Sequence, residues 1–266
     1  MAQPNIRSFR DIVVYLSVGD NARARLQAAI ALAREHGARL TGVEVNHPSV
    51  YDTERAPEAA SLEESFMEEM RIAGLEHAFH AARDVEKEGW RAMYAHYADL
   101  VIAPSVSEAD AKLVVPGVPE DVLINGGVPV LVIPDLWQRQ ALGKRIVVSW
   151  NASREATRAV HDALPLLTRA ESVTIFGFDS RQRVLKTESE QLVRHLEAHG
   201  IAAKPFTWPD TGEIDPVDAL FSCLSEEGSD IIVAGGYGHP RLMERLIGGV
   251  SRALMRTLTI PVLMSH

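Results

Sequence analysis

The sequence predicts an α/β protein built from two tandem domains, each a five-stranded parallel sheet flanked by helices. Three observations predict it. Short β-branched apolar runs alternate with stretches of helical periodicity, the pattern of strand-helix-strand units. That alternation occurs twice, over residues 1–137 and 138–266. The two copies also align segment by segment: Ile12-Val13-Val14 with Ile146-Val147-Val148, Gly74 with Gly200, Asp99-Leu100-Val101-Ile102-Ala103 with Asp230-Ile231-Ile232-Val233-Ala234, and Pro129-Val130-Leu131 with Pro261-Val262-Leu263. The offsets drift only between 126 and 134, so the repeat is one whole domain rather than a solenoid unit.

Taken in order, residues Asp11 to Val18 read as a first strand and Asn21 to His36 as a helix that Gly37 stops. Leu40 to Val45 is a second strand, completing a crossover that should be right-handed. A charged helix runs from Ser61 to Arg71 and ends near Gly74, Leu75 to Ala82 is a third strand, and Glu86 to Ala98 is helical. Asp99 to Ala103 and Gly127 to Pro134 supply two buried strands, giving the order βαβαβαβαβ. After a polar linker, Trp137 to Lys144, the order restarts with the strand Arg145 to Trp150, the helix Ala156 to Leu167, the strand Ser172 to Phe178 and the helix Glu188 to His199. Asp230 to Ala234 then forms a strand apolar enough to be buried on both faces, and Thr259 to Met264 closes the chain. The closing strands, Val128 to Ile133 and Thr259 to Met264, should pair within the chain or across a homodimer, because an open sheet edge otherwise stays unpaired.

Composition narrows the function. A net charge of −9 argues against general nucleic-acid binding, which needs a basic surface. No apolar run is long enough to span a bilayer and the amino terminus lacks a signal-peptide pattern, so a cytoplasmic protein without membrane insertion is expected. The single cysteine, Cys223, lies in an apolar helical pattern, which suits a buried structural thiol in a reducing compartment. No His-x3-His or Glu-x2-His pair is joined to a cysteine, so no dedicated metal site is expected, and His77 and His80 read as surface or packing residues on opposite faces of their strand. Neither Ser107 nor Ser153 has an identifiable histidine-acid relay, and no catalytic residue is assigned.

The chemistry concentrates after Ala234. Gly235 and Gly238 lack a Cβ and can take positive φ, nine residues follow, and Gly248-Gly249 opens the next helical pattern, whose free N–H groups would form a phosphate seat. This Gly-x2-Gly-x9-Gly spacing, with its leading strand and the terminal Pro261-Val262-Leu263-Met264 strand, resembles the ATP-binding signature of the universal stress protein family in its tandem two-domain form. The resemblance covers nearly the whole chain. It implies a Rossmann-like, adenine nucleotide alpha hydrolase-like fold and ATP, with or without Mg, as the cofactor. Carried over by position, Asn151 and Phe178 would contact the adenine, and Ala234, Gly235, Gly238, Gly248, Gly249 and Val250 would hold ribose and phosphates. Two departures stand out: Asn151 replaces the commoner Asp, and Gly249 replaces the usual Ser or Thr. Asn151 could instead cap the following helix. His239, inside the loop, is a phosphate contact or simply an exposed loop residue.

The first half provides a built-in comparison. Pro104, Ser107 and Gly117 stand where the second half has Gly235, Gly238 and Gly248. Proline removes an N–H and fixes φ, which opposes a backbone cradle. Residues 104–125 carry four acids against one lysine, a net of −3, whereas residues 235–256 carry four arginines, Arg241 and Arg245 among them, against Glu244, a net of +3. Glu120 and Asp121 would also occupy a helix N-terminus in place of a phosphate. Nucleotide binding is therefore expected in the second half alone, as part of a stress-response or regulatory module with an unidentified protein partner. The competing expectations are a slow ATPase or phosphotransfer enzyme on the same scaffold, and an interaction protein whose nucleotide site is vestigial.

Overall fold

The computed structural model describes residues 8–16, 20–45, 56–81, 90–105, 118–134, 137, 142–179, 184–209, 214–236 and 259–266. They divide into two compact units, one within Ser8–Gln138 and the other within Arg139–His266.

The first unit contains β1 (Asp11–Leu16), α1 (Asp20–His36), β2 (Arg39–Glu44), α2 (Ala56–Ala73), β3 (His77–His80), α3 (Trp90–Ala95), β4 (Leu100–Pro104), α4 (Val118–Asn125) and β5 (Val130–Ile133). Its strands lie in the order β3-β2-β1-β4-β5, and every neighbouring pair is parallel. The central strands are buried almost throughout, which is why they read as continuous apolar runs. The third strand is shorter than its sequence suggests, because β3 is a half-buried edge with only one neighbour. Its two histidines do sit on opposite faces: His77 meets Phe66 of α2 edge-on at 6.3 Å, and His80 stacks on Tyr94 of α3 at 4.4 Å. Both are packing residues.

The second unit repeats this plan with β6 (Arg145–Ser149), α5 (Arg154–Leu167), β7 (Ser172–Asp179), α6 (Val184–Ala198), β8 (Ala203–Pro209), α7 (Pro216–Glu227), β9 (Ile231–Gly235) and β10 (Val262–Ser265). Its parallel order is β8-β7-β6-β9-β10, the same connectivity as the first. Helix α5 packs on β9 and β10, α6 on β7 and β8, and α7 on β6 and β7. The matched glycines end matched helices: Gly74 follows α2 at φ 66° and Gly200 follows α6 at φ 76°, conformations that a side chain would strain. Strand β8 has no counterpart among the sequence-predicted strands. It is an exposed edge, Ala-Lys-Pro-Phe-Thr-Trp-Pro, and carries no apolar run to announce it.

Each unit anchors its first strand with one aspartate. Asp99 accepts the N–H groups of Arg10 and Asp11, at 2.6 and 3.1 Å. Asp230, at the equivalent position before β9, accepts those of Gly143, Lys144 and Arg145 at 2.9–3.2 Å and is 1% exposed. The repeat therefore extends from sequence to a specific hydrogen-bonded junction.

Cys223, in α7, is fully buried, and its thiol pKa is pushed up to about 12, first by burial and then by the charges of Glu227 and Glu226. A thiol held protonated in this way is a poor nucleophile. Maleimide should therefore label the native protein negligibly at pH 8 and label it fully once urea unfolds the chain; rapid native labelling would contradict the packed position.

Candidate functional site

In the second unit, β6 is flanked by β7 on one side and β9 on the other, so the strand order reverses at β6, and open parallel sheets bind ligands beyond the carboxyl ends of the strands at such a point. The chain leaves β6 through Trp150, whose N–H donates to the Phe176 carbonyl at 2.8 Å. Asn151 then accepts the Ser153 N–H on Oδ1 at 3.1 Å, while Ala152 between them takes a left-handed φ of 55°. Ser153 accepts the Ala156 N–H at 3.1 Å and is the N-cap of α5. Asn151 thus braces the turn and leaves the capping to Ser153. It is exposed, and its Nδ2 amide has no partner among the described residues, so a donor remains for a ligand such as an adenine edge.

Gly235 has a different role from the one its sequence suggests. It is the last residue of β9, and its φ is not left-handed. A Cβ there would lie 2.5 Å from the Ala156 nitrogen and 2.7 Å from the Glu155 carbonyl carbon. Glycine is needed because the backbone of the first turn of α5 rests against the strand end. The neighbouring Gly236 is tied down by an N–H bond to the Ser265 carbonyl at 2.8 Å and accepts from His266 Nδ1 at 3.1 Å.

Sequence reasoning missed Glu155. This carboxylate sits in the first turn of α5, 6% exposed, with Arg154 Nε 3.2 Å from Oε1. Burial pushes its pKa up, but its own backbone N–H, Arg154 and Ser153 outweigh burial and hold it below the usual carboxylate range. The signal was present as an acid two residues after an N-capping serine. Its consequence is chemical: the N-terminus of α5 already holds an anion, so a nucleotide phosphate would have to be held elsewhere.

Asn151 and Gly235 therefore converge on the start of α5. Ala234, buried beside Ser149 in the β6–β9 pairing, and half-buried Phe178, two residues past the Phe176 carbonyl on β7, come to the same end of the sheet. Gly238, His239, Gly248, Gly249 and Val250 lie outside the described residues, as do Arg241, Arg245, Ser107 and Gly117. In the first unit Pro104 ends β4, and Glu120 and Asp121 occupy the first turn of α4, as expected from the sequence. Among the described residues, the Asn151 amide is the donor at this end of the sheet that an adenine edge could use.

No protein-family model and no curated protein matches the chain. Solved structures do. A universal stress protein from Archaeoglobus fulgidus DSM 4304 superposes with a TM-score of 0.72 at 15% identity, covering 95% of each chain. A protein of unknown function from Pseudomonas aeruginosa PAO1 gives 0.62 at 14% identity, over 99% of this chain and 94% of its own. A third, provisionally described as a universal stress protein, from Pseudomonas aeruginosa UCBPP-PA14, gives 0.58 at 16% identity over 97% and 93%. Along its whole length, the chain therefore has the universal stress protein fold in tandem two-domain form.

Proposed function

We propose that this chain is a universal stress protein whose second unit binds an adenine nucleotide at the carboxyl ends of β6 and β9, and that it acts as a nucleotide-responsive regulatory module. The observation that carries this reading is the exposed Asn151 amide at the strand-order reversal, whose Nδ2 has no partner among the described residues, beside the strand that leads into Gly235-Gly236 and the Gly-x2-Gly-x9-Gly sequence. Asn151 and Phe178 hold the base. The glycine sequence with its surplus of arginines, Gly238, His239, Gly248, Gly249 and Val250 included, holds ribose and phosphates. Binding favours one conformation of the chain and so alters a surface offered to a partner. The bonds already made by Glu155 favour a binding role over hydrolysis, since a carboxylate engaged by Arg154, Ser153 and its own N–H is not free to serve as a base.

The test is calorimetry of the untagged full chain with ATP, together with native mass spectrometry of the protein as purified. One ATP per chain is expected, and Asn151→Ala should raise the dissociation constant about tenfold, the effect of one hydrogen bond. Two equivalents per chain would place a working site in the first unit as well, and no binding would favour the interaction-protein reading.

A further inference from the structure

The two units differ at one repeated threonine. Val13 pairs with Thr41 in the first unit as Val147 pairs with Thr174 in the second, so the threonines are equivalent. Thr174 is buried, and its hydroxyl donates to Glu227 of α7 at 3.1 Å. Thr41 is only 7% exposed, yet its hydroxyl has no partner among the described residues. Counted back from the matched Asp230 and Asp99, the residue in the place of Glu227 is His96, and it turns to α4 instead, its Nε2 3.1 Å from the Asn125 carbonyl. The acid that satisfies this position in the second unit is thus missing from the first, where a cavity of about 350 Å³ lies between the sheet and α3. Its sheet side is formed by Asp11, Val13, Arg39 and Thr41, and its helix side by Met93, Tyr94 and Tyr97, with His80 at the edge strand. We propose that this cavity binds an uncharged, planar heteroaromatic molecule of nucleobase size, at a site separate from the carboxyl-end site of the second unit.

Size is the first argument, since about 350 Å³ stands at the small end of the range that ligand pockets span. Planarity follows from the walls. The His80 ring, packed on Tyr94 with 26° between the planes, continues into Met93 and Tyr97, which stay 43% and 78% exposed. Aromatic faces and a thioether favour a flat π-system as their partner. Neutrality follows from the polar end of the cavity. Arg39 is bonded to the Asp11 carboxylate, and that bond, the charge of Asp11 and the charge of Glu76 all favour its protonated form. An incoming carboxylate or phosphate therefore meets two acids against one guanidinium, and an incoming cation meets the guanidinium itself. What remains is hydrogen bonding. The Thr41 hydroxyl both donates and accepts, and Arg39 uses one nitrogen of its guanidinium on Asp11, so donors and an acceptor face the cavity together. Adjacent donors and acceptors on a flat, neutral ring are the chemistry of a nucleobase edge or an aromatic amide.

Saturation-transfer NMR on the full chain, with excess ATP present to occupy the second unit, tests this with uracil and nicotinamide as probes. At least one of them should bind, and benzoate and benzamidine, flat but charged, should bind at least about tenfold more weakly. Thr41→Val keeps the shape and removes the hydroxyl, so it should raise the dissociation constant about three- to tenfold, while Thr41→Ser, which keeps the hydroxyl, should bind as the wild type does. Binding of neither probe, equal binding of benzoate or benzamidine, or an equal affinity in Thr41→Val and Thr41→Ser would overturn the assignment.

Discussion

Replacing Asp230 with alanine is expected to destabilise the second unit by about 3 kcal/mol, seen as a large drop in the urea midpoint of its unfolding transition. The carboxylate accepts from Gly143, Lys144 and Arg145 while 1% exposed. Each buried N–H left without an acceptor costs about 1–3 kcal/mol, and water can reach the part-buried Lys144 and Arg145 ends only incompletely. Asp99 holds two N–H groups at an exposed site, so Asp99→Ala should cost only about 1 kcal/mol in the first unit. Burial pushes the pKa of Asp230 up, against the downward pull of the Lys144, Arg145 and Gly143 N–H groups. A raised folded-state pKa means that the folded chain binds the proton more tightly than the unfolded one. The associated stability is therefore complete below the ordinary carboxylate range and is lost as pH rises through the raised value. Unfolding followed across that window should show this decline in the wild type and not in Asp230→Asn. Equal losses for Asp99→Ala and Asp230→Ala would refute the difference in burial.

Gly235→Val should have the second large effect and should act on both stability and ligand binding. The first added carbon would meet the Ala156 nitrogen at 2.5 Å and the Glu155 carbonyl carbon at 2.7 Å, both backbone atoms that no rotamer change can move. Helix α5 must shift, at a cost of about 1–3 kcal/mol for overpacking. The shift displaces Ser153 and the Asn151 turn, so ATP binding should fall well beyond what the stability loss alone explains. Pro104, the equivalent residue at the end of β4, carries a Cβ, so the first unit does not bring a helix backbone so close to that strand end. An unchanged ATP affinity in Gly235→Val would separate the Asn151 turn from the site.

The fold was legible because buried strands such as β4 and β9 must be continuously apolar and because the duplication repeated most of the strand and helix signals. Edge strand β8 was not legible, since an exposed strand needs no apolar run and this one contains two prolines. At the site, the sequence identified the segments but not their mechanics. Gly235 looked like a loop residue shaped for a ligand, yet it is glycine because of a helix more than 70 residues earlier in the chain, a contact that no local pattern encodes. Glu155 escaped notice for the related reason that its burial depends on β9.

That the strands of each unit come from one half of the chain bears on how the protein is made. All five strands of the first unit, and the aspartate that anchors β1, come from residues before Gln138. At roughly 5–20 residues per second, a ribosome needs on the order of 6–25 s to add the remaining residues, whereas domains of this kind fold in milliseconds to seconds. The first unit can therefore finish folding while the second is still being translated, which keeps two nearly identical strand patterns from pairing in the wrong combination during synthesis.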